Sequence, residues 1–188
     1  MTSIMGGMVF CHHIDGWDVA WESSGEYRHW CRQTRRGHSA SVLAVLMNPG
    51  SLSGDGSNLR RDTTLRILRD VGEKASTNWL IVNLFDLATP KREELHLRWR
   101  YRDSKALVFE ALDLQGVPFV LFAHGNVGTD HEADFRNRIT TVRSAFAPLR
   151  EIHIPRTKDG HPVHPMNWQR QRLMSDVVGA IVAAKRGA

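Results

Sequence analysis

The groups in this chain best placed to do chemistry are two carboxamides and a pair of loop imidazoles. Asn48 closes the apolar run Val42 to Met47 and is followed at once by Pro49 and Gly50. Asn83 closes a second run that begins at Trp79. A third run, Val117 to Ala123, ends at His124-Gly125-Asn126, and a late polar loop carries His161, Pro162, His164, Pro165 and Asn167. A carboxamide supplies a donor and an acceptor to a planar ligand and can read the edge of a nucleobase. His161 and His164 sit in a loop stiffened by prolines, so either could meet a leaving group at fixed geometry. Two blander readings stand beside these: Asn83 as a turn-bonding amide, and both histidines as surface residues.

Other chemistries are poorly supplied. His12 and His13 are adjacent, and neighbours in a strand point to opposite faces, a poor chelate. The late loop offers only Asp159 as a nearby carboxylate, too few ligands for a metal. No metal site and no cofactor is therefore expected. No Ser-His-Asp or Cys-His arrangement has a recognisable context, and Gly54-Asp55-Gly56 lacks the spacing of a phosphate loop.

The elements that must position these groups follow from periodicity. A continuous apolar run closed by turn residues fits a strand buried on both faces. Proline biases the residue before it toward extended backbone, which puts Asn48 at the carboxyl end of a central strand. Asp62 or Thr63 is expected to cap a helix whose Leu65, Leu68 and Val71 share a face, with Gly72 ending it. Further helices are expected over 103–115, 134–147 and 169–185, and a short strand over 150–155. Two short strands, 9–14 and 17–21, are expected around Asp15-Gly16. Strands alternating with helices from residue 42 onward predict a three-layer α/β/α fold with a mostly parallel, four-stranded central sheet. The expected organisation is one domain over 1–188, a core over 41–188 with an N-terminal β extension over 1–40. In such a sheet, ligands bind at the carboxyl edge, where all four polar clusters would meet.

Bulk properties agree with a globular protein. The chain has 188 residues, 41% hydrophobic and 24% charged, with a formal charge of +5. That balance weakly favours a polyanionic partner such as nucleic acid. There are 2 cysteines, Cys11 and Cys31, without the spacing of a zinc or redox motif. No apolar run approaches the roughly 20 residues that span a bilayer. The N-terminus lacks the features of a secretory signal. A cytoplasmic protein with no membrane partner, monomeric, is the expectation.

Leu46-Met47-Asn48-Pro49-Gly50 resembles the first motif of the uracil-DNA glycosylase superfamily, in the branches with Asn before Pro-Gly. Leu80 to Asn83 resembles the strand whose Asn reads uracil. Val117 to Gly125 resembles a later strand ending in glycine, and His161-Pro162 or His164-Pro165 resembles the second catalytic motif. The chain resembles more closely a bacterial and phage family of unknown function. The segments that carry this likeness are Asn48-Pro49, Arg61 to Thr64, Asn83 to Phe85, Ala88 to Pro90 and Gly160 to Met166. That family matches the late loop best at His164. The second motif here lacks the usual Ser-Pro-Leu, and no iron–sulfur cysteine motif is present.

The resemblance implies hydrolysis of an N-glycosidic bond that releases uracil or a related base, with DNA, single-stranded or mismatched, or a nucleotide as partner. Asn48 would position the water, and His164, or else His161, would donate to the leaving base. Pro49, Gly50, Asn83, His124 and Asn167 would line the base site, and Phe85 would stack on the base. Arg60, Arg61 and Lys158 would hold phosphates. Two alternatives are a non-catalytic nucleotide or nucleic-acid binding module, and a hydrolase or transferase acting on free nucleosides or nucleotides.

Overall fold

The computed structural model describes residues 6–50, 52, 54–89, 95, 112–126 and 132–187. The apolar runs form strands, as their composition predicts: β4 is Ala40–Leu46, β5 Thr77–Asn83 and β6 Phe119–Phe122. Ahead of them lie β1 (Met8–Ile14), β2 (Trp17–Ser24) and β3 (Tyr27–Thr34), and after them the two-residue β7 (Arg150–Glu151). Among the described residues these build one seven-stranded mixed sheet in the order β1-β2-β3-β5-β4-β6-β7. Strand β4 is parallel to both β5 and β6, and β6 is parallel to β7. The first three strands form an antiparallel meander that joins through β3 to β5.

Residues 1–40 were expected as an extension with two strands. The described part is instead continuous with the sheet and contributes three. Strand β3 escapes a hydrophobicity reading because Arg28, His29 and Gln33 are polar yet buried. Their neighbour Glu22 is buried too, and its carboxylate accepts from the Trp30 indole at 2.8 Å and from the Gly7 amide at 3.1 Å. Such bonds make buried polar groups tolerable.

Alternation along the central strands sends side chains to two cores. Val42, Ala44 and Leu46 enter one core with Leu65, Leu68 and Val71 of helix α1 (Thr63–Ala75). Leu43 and Val45 enter the other with Phe135 and Val142 of helix α2 (Glu132–Ala145). Helices therefore cover both faces of the sheet.

Helix α1 starts where Asp62 caps it, its carboxylate accepting from the Leu65 amide at 2.9 Å. It does not end at Gly72. It runs on to Ala75, and Ser76 in the left-handed region closes it. Gly72 is there for space: a Cβ would lie 2.7 Å from the Trp17 ring and 2.8 Å from the Trp79 indole nitrogen.

The helix expected over 169–185 is two helices, α3 (Pro165–Arg170) and α4 (Met174–Arg186), separated at Arg172 with φ 57°. Trp168 and Val177 enter the same core. On one straight helix they would be about two and a half turns apart and face opposite ways. The break resolves that conflict. Strand β7 is shorter than the expected 150–155, although Ile152 continues the ladder through its amide to Val120 O at 2.8 Å. The helix expected over 103–115 falls outside the described residues for 103–111, and Leu112–Leu114 are not helical. No helix among the described residues is long and apolar enough to cross a membrane.

Candidate functional site

Asn48 stands two residues past the end of β4, on backbone held from both sides. Leu84 N donates to Leu46 O at 2.8 Å, Phe85 N to Met47 O at 3.0 Å, and Ala123 N to Val45 O at 2.9 Å. The Asn48 amide nitrogen donates to Thr89 O at 2.7 Å and approaches Pro49 O at 3.3 Å. Both partners are carbonyl oxygens, so the NH2 group must face them and Oδ1 must face the other way. Asn48 thereby presents an acceptor.

His164 is the N-cap of α3, with Pro165 in the first turn as helix starts favour. Its Nδ1 accepts from the Met166 amide at 3.3 Å. An accepting Nδ1 carries no proton, so the ring hydrogen is on Nε2. His164 thereby presents a donor. Its loop is held against the end of β6 by Gly125, whose amide donates to Pro162 O at 3.0 Å. A Cβ on Gly125 would lie 2.9 Å from the His164 Cβ.

Two depressions meet at these residues. The larger, about 820 Å³, is lined by Asn48, His124, Asn126, Lys158, His164 and Asn167 among others. The smaller, about 440 Å³, is lined by Asn48, Gly50, Arg61, Asp62, Thr89 and His164 among others. Asn48, His164 and Met166 belong to both walls. Segments far apart in sequence are thus brought together at the carboxyl edge of the parallel strands.

His124 lies in the wall of the larger cavity and is 2% exposed. Its Nδ1 donates to Gly125 O at 2.8 Å, which leaves Nε2 as an acceptor. Burial pushes its pKa down to about 4, the Gly125 bond opposing and His161, Arg143 and His164 adding to the fall. It is neutral at physiological pH. Across the larger cavity, Asn126 donates to the Asp159 carboxylate at 2.7 Å.

The remaining expected residues are placed elsewhere. Asn83 is 4% exposed, paired in register with Leu46, and lines neither depression. Its Oδ1 is buried without a hydrogen-bond partner among the described residues. Phe85 is a core residue whose ring lies 5.9 Å from that of Phe135. His161 packs its ring 6.0 Å from His124 and lines neither depression. Pro49 is buried. Arg60 pairs with Asp15 at 3.3 Å on the surface and lines neither depression, whereas Arg61 lines the smaller and Lys158 the larger.

Two arrangements had no sequence signal. Arg28, 3% exposed on β3, directs Nη1 to 3.9 Å from the Asp62 carboxylate. Ser24 Oγ lies 2.8 Å from His29 Nε2, and His29 Nδ1 lies 3.1 Å from the Asp86 carboxylate. This Ser–His–Asp chain adjoins neither depression and ties the β2–β3 hairpin to the segment after β5. Only the third dimension joins these residues, which lie 57 apart for His29 and Asp86. Among the described residues, no three His, Cys, Asp or Glu side chains converge as metal ligands would.

Residues 27–166 match a family model described as "Protein of unknown function (DUF1643)". No curated protein matches the chain significantly.

Proposed function

Because the chain belongs to the DUF1643 family of proteins of unknown function, we propose its activity from the site alone: hydrolysis of an N-glycosidic bond with release of uracil or a related base. The observation that carries this reading is the fixed and opposite polarity of two side chains on shared cavity walls. Asn48 offers Oδ1 as an acceptor and His164 offers Nε2–H as a donor. The parallel block β5-β4-β6-β7, covered on both faces, supports the architecture that the glycosylase resemblance implies.

In this reaction, the bond from the sugar's anomeric carbon to the base nitrogen breaks, and its electron pair leaves with the base. The sugar passes through an oxocarbenium-like state. A water oriented by Asn48 Oδ1 adds to the anomeric carbon and gives its proton to solvent, since a carboxamide is no real base. His164 Nε2–H stabilises the charge that develops on the departing base. A donor aimed in this way contributes about 3–4 kcal/mol in a dry site. A DNA substrate would be flipped out of its stack to reach the cavity.

The test is release of free base from single-stranded and mismatched DNA containing uracil, thymine or damaged bases. Asn48→Ala and His164→Ala should each lower the rate by about 10²–10³-fold. Complete absence of release by the wild-type protein on every such substrate would sink the reading. One observation favours a non-catalytic nucleotide or nucleic-acid binding module instead: the acceptor at Asn48 cannot take a proton. Salt-sensitive binding without base release would select that alternative.

A further inference from the structure

The wall of the larger depression holds one buried side chain that the proposed reaction does not use. His124 follows β6 and is 2% exposed. Its ring is held from three sides. Nδ1 donates to Gly125 O at 2.8 Å, and the rings of Phe135 and His161 stand across it with centroids at 5.5 Å and 6.0 Å. With Nδ1 protonated and the ring neutral, Nε2 bears only a lone pair. That nitrogen makes no hydrogen bond among the described residues, yet, unlike Asn83 Oδ1, it is not sealed from solvent. It opens on the cavity that His124 lines. A buried acceptor is costly to leave unpaired, so the position favours a ligand with a donor there.

A second observation sets what that donor adjoins. Gly125, the next residue, lies against His164: a Cβ on it would be 2.9 Å from the His164 Cβ, and its amide donates to Pro162 O at 3.0 Å. The two imidazoles are therefore neighbours on one wall, with opposite hydrogen-bonding sense. His164 offers Nε2–H, and His124 offers a bare Nε2. A ligand that satisfies both carries an acceptor next to an N–H donor. Uracil and thymine present that pair as O2 and N3–H. Cytosine presents O2 beside a bare N3, which would face the His124 lone pair.

We propose that His124 selects the base, its Nε2 accepting from the imide N–H of uracil or thymine and rejecting cytosine. The proposal rests on the reading above, in which His164 donates to the leaving base. It moves base selection away from Asn83, where the glycosylase resemblance puts it. Asn83 lines neither depression, and its oxygen is sealed. A site built to bond a substrate N–H discriminates strongly, because the wrong ligand leaves its buried group unpaired. The fixed ring supplies the geometry such a contact needs.

NMR titration of the whole protein with deoxyuridine, N3-methyldeoxyuridine and deoxycytidine tests this. Wild type should bind deoxyuridine at least about tenfold tighter than either of the others, a difference of about 1.4 kcal/mol. Methylation also adds bulk, so two variants separate that cause from the lost N–H. His124→Phe keeps a flat ring but no acceptor, and the advantage of deoxyuridine over deoxycytidine should fall to within about twofold. His124→Gln can turn its amide to offer an acceptor or a donor, so deoxycytidine should gain until the two nucleosides bind within about threefold. If the Phe variant fails to fold, the Gln variant decides alone. Equal wild-type affinity for all three nucleosides, binding of none, or an advantage unchanged in every folded variant would overturn the proposal. Selective binding with no base release would refute the glycosylase reading and leave this one standing. Base release without that selectivity would do the reverse.

Discussion

Replacing Asn48 by Asp tests the amide orientation on which the proposed chemistry depends. The nitrogen that donates to Thr89 O at 2.7 Å becomes an oxygen facing a carbonyl. An ionised carboxylate there loses the bond and repels, whereas a protonated carboxyl keeps it. Losing the bond to the carbonyl of Thr89, a buried residue, costs about 1–3 kcal/mol. At about 1.36 kcal/mol per pKa unit, that raises the new acid by roughly one to two units above its ordinary value near 3.9. The sign follows from proton linkage: the folded variant binds the proton more tightly than the unfolded chain. The variant therefore matches wild type best below about pH 4 and loses about 1–3 kcal/mol as pH rises through the folded pKa. Urea denaturation of both proteins at pH 4 and pH 8 measures this, because the pH dependence they share cancels in the difference. The same substitution supplies a real base at neutral pH, so base release per folded molecule should rise. A stability difference identical at the two pH values would refute the assigned orientation, and with it the acceptor role of Oδ1.

Three further outcomes follow from the packing and the charges. Gly72→Ala gains about 1 kcal/mol of helix propensity but forces a methyl to 2.7 Å from Trp17 and 2.8 Å from Thr77 O. Overpacking costs about 1–3 kcal/mol, so calorimetry should show a lower Tm, and an unchanged or higher one would contradict the packing. His124, held down at about 4, contributes stability that is present above pH 6.5 and is lost as pH falls toward 4. Its share is on the order of 3 kcal/mol, and His124→Gln should flatten the urea-denaturation profile across that window. Asp62→Asn keeps an acceptor for Leu65 N, whereas Asp62→Ala loses the cap and should be less stable than the Asn variant by about 1 kcal/mol.

What the sequence made legible was the set of groups that sit where a pattern breaks. Asn48 and His124 each interrupt a long apolar run, so their strand-end positions follow from composition, and His164 is marked by the prolines around it. The cap at Asp62 was equally readable. Arg28 was not, because a lone arginine in a polar stretch looks solvated until its strand is known to lie inside the sheet. Strand β3 was hidden for the same reason: Arg28, His29 and Gln33 are polar yet buried, facing Asp62, the Ser24–Asp86 pair and Arg69, groups that only tertiary structure brings to them. The division between α3 and α4 was also beyond periodicity. The pattern from 169 to 185 reads as amphipathic, and only the need to send Trp168 and Val177 into one core requires the break. Gly72 misled because glycine is both a helix terminator and a space-maker, and the indole rings that decide between the two are contributed by β2 and β5.

The backbone beneath Asn48 has a consequence for how a ligand is accommodated. Val45, Leu46 and Met47 each receive an amide proton from a flanking segment. The amides of Leu84, Phe85 and Ala123 should therefore exchange with deuterium only when the whole molecule opens, reporting global stability. A bound ligand cannot be met by movement of that floor. Adaptation falls to the rim: the first turn of α1 and the loop from Arg156 to His164, whose exchange should slow locally on binding while the three floor amides change only with overall stability.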